Sequence, residues 1–344
     1  MNQEQPTVDS NDIGSNIRNS DKFFTDAGDI DNNIYNSSEA IDSFSPFSHS
    51  DNMSPTNENS AASPSPTEDD YSDDTVPETL PQLNDVVENN NEVETLSQHL
   101  IKHIWNNNFS APVGRTLENG ATVLDVGCGT GAWLLDMAET YSKSKFYGVD
   151  LLHAFGSQIP TNVTFVRGDI LAGLPFPDNS FDFVTQRFLS MRFSDDEWKT
   201  KVINELVRVT KPGGWIELME CDIELVNCGN DTKRIIVALQ HYLHSKHANE
   251  RLAQELHEYL AANDELQQIG RETRDIESGG STIIAQQARN DYGNFLMSIR
   301  DDLAQSMRMS DIHYSALWEV IHNEMKRLNT KRPTHRVFAQ KKEL

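Results

Sequence analysis

Seven residues, Asp125-Val126-Gly127-Cys128-Gly129-Thr130-Gly131, set a carboxylate beside three alternating glycines in a chain of 344 residues. Glycines so spaced let a ligand press on backbone that side chains would otherwise shield. Their amides suit an anion, and the helical pattern opening at Trp133 adds unpaired N–H groups at its start. Further on, Lys145-Phe146-Tyr147-Gly148-Val149-Asp150 closes on a second acid. At about 20 residues past the glycines, such a carboxylate accepts both ribose hydroxyls of an adenosine moiety. Two charge-assisted bonds, roughly 1.5–3 kcal/mol each, would make Asp150 the strongest single contact to it. The spacing alone does not choose a cofactor: Gly127, Gly129 and Ala132 also fit the G-x-G-x-x-G/A fingerprint of dinucleotide sites. Cys128 has the side chain of a nucleophile, but its setting favours a small residue filling a tight turn.

Positioning these residues requires strands and helices in a set order. Val123 to Val126 is a short apolar run broken by one acid, the pattern of a buried parallel strand. A helix follows to about Tyr141. Lys145–Asp150 reads as a second strand, and Asn162–Ile170 as a third with its exit. Phe181, Phe183 and Val184 belong to a fourth, which leaves the sheet at Thr185-Gln186-Arg187-Phe188. Open α/β sheets bind ligands at that carboxyl edge, so Gln186 and Arg187 are candidates for the reaction cleft. Asp195 is read as the cap of a helix running to about Val209. Upstream, Leu96, Leu100, Ile101, Ile104 and Trp105 have helical spacing from about Glu94. His103 or Trp105 could line a cleft, although packing is the favoured role. Downstream come two helices between Asp231 and Asn263, a strand from Leu266 to Ile276, and helices over Ile283–Met307 and Asp311–Leu328.

Charge divides the chain unevenly. Of a net −24, residues before Asn90 carry −17, with Arg18 and Lys22 as their only basic residues. That segment is rich in Asn, Ser, Asp and Pro, and its apolar residues follow no period. It cannot offset roughly 1–2 kcal/mol per residue of backbone ordering, so residues 1–92 are expected to be a disordered acidic tail. The tail is a candidate to recruit protein partners. Ser45, Ser54, Ser63 and Ser65 each precede proline and are candidate phosphorylation sites. A pI near 4.7 disfavours nucleic acid as main partner. No apolar run approaches the ~20 residues that span a bilayer. Three unpaired cysteines and no leader lead to an expected cytoplasmic or nuclear location. His241, His244 and His247 lack a carboxylate that would complete a metal site, and no metal is proposed.

Beyond the glycines, three stretches carry a family resemblance. Asp125-Val-Gly-Cys-Gly-Thr-Gly resembles motif I of the class I S-adenosylmethionine (SAM)-dependent methyltransferases. Leu174-Pro-Phe-Pro-Asp-Asn-Ser-Phe-Asp-Phe-Val184 is similar to their segment between strands three and four. Lys211-Pro-Gly-Gly-Trp-Ile-Glu-Leu218 is similar to the turn before their fifth strand. The set, with Gly131-Ala-Trp133 and Arg187, also looks like the fungal methyltransferase-domain group that includes regulators of secondary metabolism. The resemblance covers about Leu100 to Glu224 well and the rest loosely.

It implies an α/β, Rossmann-like fold: a seven-stranded, mostly parallel sheet whose antiparallel last strand is His335–Gln340. Residues 93–344 would form this domain, with a core at 118–224, helical insertions after strands five and six over 230–330, and closure at 334–341. It implies SAM as cofactor. The loop of Gly127, Cys128, Gly129 and Gly131 would wrap its methionine end, with Asp125 near the amino group. Asp150, next to Leu151, would hold the ribose. Asp169 would accept from the adenine amino group and Ile170 pack on the ring, unless Asp169 only caps a turn.

The function expected is transfer of a methyl group from SAM to an acceptor that is a small metabolite or a protein. The alternative is a non-catalytic SAM-binding regulator. Methyl transfer is an in-line displacement that chiefly needs alignment and dryness, worth up to ~7–11 kcal/mol, so no base is obligatory. His153 is the one candidate base, and otherwise catalytic residues are unassigned.

Overall fold

In the computed structural model, residues 90–151 and 159–343 are described, and all of them lie within one compact unit, Val76–Leu344. The tail with its Ser-Pro sites, up to residue 89, and His153 lie outside the described residues. Helix α1 is Asn90–Trp105, opening four residues before the periodicity at Glu94 becomes legible. A short α2, Gly114–Asn119, leads into β1, Thr122–Val126. Then follow α3, Ala132–Thr140; β2, Lys145–Asp150; β3, Val163–Arg167; and β4, Phe181–Arg187.

The helix expected to begin with Asp195 is capped instead by Ser194, whose side chain accepts from Glu197 N while Glu197 reaches back. That reciprocal capping box satisfies two donors where an Asp195 cap would satisfy one. Asp195 lies inside the first turn, held by Lys199, Asn249 and Tyr259. The helix is also not uniform: α4, Asp195–Glu197, passes through a π-helical turn, Trp198–Val202, into α5, Ile203–Val209. The wide turn accompanies Trp198, which is fully buried beneath the sheet with Phe193 against it.

β5 is Thr210–Cys221, so Gly213 and Gly214 lie inside a strand with an irregular register and not in a turn ahead of it. Gly213 has φ +77°, and a Cβ on Gly214 would lie 2.9 Å from the Lys211 carbonyl oxygen. Helices α6, Asn230–Ser245, and α7, Leu252–Ala261, precede β6, Leu266–Glu277. The next expected helix is two, α8, Ile283–Ser298, and α9, Arg300–Ser306, separated at Ile299. α10, Asp311–Leu328, ends at Asn329 in the left-handed conformation, which frees the chain to enter β7, Lys331–Lys341.

The seven strands take the order β3-β2-β1-β4-β5-β7-β6, with only β7 antiparallel to its neighbours. This is the sheet the resemblance implied. Its order reverses between β1 and β4, the switch point at which the loops after β1 and β4 diverge and leave a crevice. One face of the sheet packs on α5 and α7 through Val184, Trp198, Leu206, Leu218 and Leu256. The other packs on α3 through Val123, Trp133, Met137, Phe146 and Phe183. The helices after β5 and β6 gather their own core around Leu239, Tyr292, Tyr314 and Ile321. Among the described residues no helix is long and apolar enough to cross a membrane.

Candidate functional site

The crevice is built on backbone. Gly127, Gly129 and Gly131 all have positive φ, +70°, +53° and +85°. Gly127 N and Cys128 N both donate to Val149 O, at 2.8 and 3.2 Å, so the loop is hung from the end of β2. Gly131 is the N-cap of α3 and offers no side chain to its amides. A Cβ on Gly131 would lie 2.5 Å from the Phe165 ring, and one on Gly127 2.4 Å from Leu189. Substitution is thus closed on both sterics and dihedral. Cys128 is buried with its sulfur against Gly148, where a Cβ would come within 2.7 Å; this is the role of a filler, and it is not presented as a nucleophile.

Asp150 lies across the loop, its Oδ2 accepting from Gly129 N at 3.0 Å. Leu151 is half-exposed beside it. Asp125 is buried in mid-sheet, level with Gly148 of β2 and Thr185 of β4. Asp169 Oδ1 accepts from Leu171 N at 2.9 Å and caps the short turn Ile170–Ala172, the local role weighed against adenine recognition. Ile170 is buried in the core cluster that also holds Leu174 and Trp198.

Gln186 and Arg187 part company. Successive strand residues face opposite sides, so these two do not line one wall. Gln186 is fully buried, and neither its Nε2 nor its Oε1 has a hydrogen-bond partner among the described residues. Arg187 turns toward α1 and α3, donating to Gln98 Oε1 at 2.9 Å with its guanidinium 5.3 Å from the Trp133 ring. Gln98 in turn joins Asn108 and Asp136, and Lys102 pairs with Asp136 at 2.7 Å. α1 is therefore tied to the helix that starts at the glycine loop. Trp105 is buried in that tie, under the Arg336 guanidinium at 4.4 Å, whereas His103 is exposed.

Two acids escaped the sequence reading, although an apolar strand carrying Glu217 and Glu220 advertises buried carboxylates. Being three apart, they face opposite sides of β5. Glu217 accepts from Ser110 N and Ala111 N at 2.7 and 2.6 Å, fixing the segment after α1. Burial pushes its carboxyl up against the opposing pull of Arg336. Glu220 accepts from Leu189 N at 2.6 Å and is also hydrogen-bonded by Ser190. Burial raises its pKa to about 8 despite those bonds. It holds the loop after β4 so that Leu189 rests on Gly127. The three histidines of α6 and its exit, His241, His244 and His247, are exposed, and among the described residues no group of side chains could hold a metal.

The positive-φ glycine loop and the acid hung across it fit an adenosyl cofactor with a small charged tail. Sheet order, loop and acid together support a class I SAM-dependent methyltransferase. Residues 123–214 match the methyltransferase domain family. The secondary metabolism regulator LAE1 of Cochliobolus heterostrophus is 34% identical over 116 residues, 33% of this chain and 37% of that protein. Methyltransferase str2 of Strobilurus tenacellus is 24% identical over 159 residues, 45% and 56% of the two chains. A solved SAM dependent methyltransferase from Archaeoglobus fulgidus is 15% identical, with 67% of this chain and 92% of that one covered at a TM-score of 0.39. The chain spans a third to just over half the length of these curated relatives.

Proposed function

We propose that this protein transfers a methyl group from SAM to an acceptor, a small metabolite or a protein, that approaches over the carboxyl ends of β4 and β5. The observation that carries the reading is the bond from Gly129 N to Asp150 Oδ2, which couples the glycine cradle to the acid suited to a ribose. When bound, SAM supplies a methyl made electrophilic by its sulfonium. Gly127, Cys128 and Gly129 would flank the methionine end. Because their amides are turned to Val149 O and Asp150 Oδ2, its carboxylate would fall to the amides at the start of α3, with Asp125 nearby. Asp150 would take the ribose hydroxyls, and the turn that Asp169 caps would lie at the adenine end, with Ile170 buried beneath it in the core. Leu189, set by Glu220 against Gly127, keeps water from the cradle. Alignment in a dry crevice is the main contribution required of the protein.

The second reading, a SAM-binding regulator without turnover, is favoured by the relative named as a regulator of secondary metabolism. Incubation of the full chain with methyl-radiolabelled SAM and a fungal lysate with its metabolites separates the two. A labelled product that disappears with Gly129→Asp supports catalysis. SAM binding without any labelled product supports the regulator.

A further inference from the structure

β6 ends the sheet, and its outer edge pairs with no strand among the described residues. Five consecutive residues on it, Arg271-Glu272-Thr273-Arg274-Asp275, are exposed. Because neighbouring strand residues face opposite sides, the edge is open from both faces of the sheet. A recess of about 430 Å³, lined in part by Ile104, Arg274, Asp275 and Ile284, opens beside it. An unpaired edge of 12 residues presents a row of amides and carbonyls to any strand that fits.

The order of charges states which strand fits. When a second copy of this segment is laid antiparallel with Thr273 opposite Thr273, Arg271 meets Asp275 and Glu272 meets Arg274, each pair twice. A slip of one residue sets Glu272 against Asp275 in one direction and Arg271 against Arg274 in the other. A slip of two sets Arg274, or Glu272, against itself. Opposite charges directly across an antiparallel pair stabilise it and like charges destabilise it. The register centred on Thr273 is the one within two residues that opposes no like charges.

The faces agree as well. Arg271 and Thr273 lie on the face where both bond His335, and Glu272 and Arg274 on the face of Ser110 and Trp105. Their own-chain contacts pre-orient the two guanidinium groups, and five N–H donors on each leave room for a carboxylate. The ladder is bounded by the irregularity between Gln267 and Gly270, where Gln268 has φ +50°. We propose that this edge is the self-complementary interface of a two-fold dimer, in which two β6 strands join two sheets into one.

Sedimentation equilibrium on the full chain tests this. The wild type should dimerise, more weakly at high salt because the pairs are exposed. Glu272→Arg and Arg274→Glu each create two like-charge oppositions in their own homodimer and should dimerise at least about tenfold more weakly (~1.4 kcal/mol). Mixed in equal amounts, the two variants regain opposite charges at every rung and should form a heterodimer of near wild-type affinity. A monomeric wild type overturns the proposal. So do single variants that dimerise like the wild type, or a mixture no tighter than its components.

Discussion

Asp150 Oδ2 accepts the Gly129 amide at 3.0 Å, so the acid closing β2 and the glycine loop after β1 are held as one hydrogen-bonded unit. Replacing Asp150 with alanine removes the proposed ribose acceptor and releases the loop together. SAM affinity should fall by about a hundredfold, the equivalent of two charge-assisted bonds at the low end of their range. Titration calorimetry reads this directly, and wild-type-like affinity in Asp150→Ala would refute the assigned pose.

Gly131→Ala should destabilise the fold by about 1–3 kcal/mol, since alanine must hold φ near +85° with its Cβ 2.5 Å from Phe165. Shrinking the ring with Phe165→Leu removes the clash and leaves the dihedral strain. The double variant should therefore melt above the single Gly131→Ala but below Phe165→Leu alone. Thermal unfolding that ranks them otherwise would assign the glycine a different role.

Gln186 buries a carboxamide whose polar atoms have no partner among the described residues, an arrangement that costs stability. Gln186→Leu is close to isosteric and should leave the melting temperature unchanged or raise it. If the amide serves a ligand in the crevice, the same variant loses SAM affinity or turnover. A variant that is both destabilised and fully active would argue that the amide is structural.

The Glu220 carboxyl, raised by burial to about 8, makes stability pH-dependent. Its folded pKa exceeds its unfolded one, so between about 4.5 and 8 the folded state binds more protons than the unfolded. Stability therefore falls as pH rises through that window. Glu217, also raised by burial, adds to the trend in the same sense. Glu220→Gln should flatten part of the slope in urea unfolding followed from pH 5 to pH 8. An unchanged slope would mean that Glu220 ionises as it does in the unfolded chain.

Much of this molecule was legible from local chemistry. Alternating glycines before a helix, an acid ending the next strand and Phe-Asp-Phe-Val announced the parallel part of the sheet, because backbone clearance and strand burial are properties of a few adjacent residues. The turn chemistry misled where two local solutions compete: Ser194 and Asp195 both suit a helix start, and the capping box with Glu197 decided for serine.

Contacts distant in sequence were settled only by the tertiary structure. That Gln186 and Arg187 face opposite sides follows from strand pleat, but that one is sealed in the core and the other clamps α1 depends on what packs above each. Likewise, Glu217 and Glu220 became anchors for Ser110 and Leu189 only when β5 was buried in the middle of the sheet, where a carboxylate must find backbone amides or take up a proton. The charge order along β6 was always in the sequence; its meaning waited on the sheet, which left that strand at the edge.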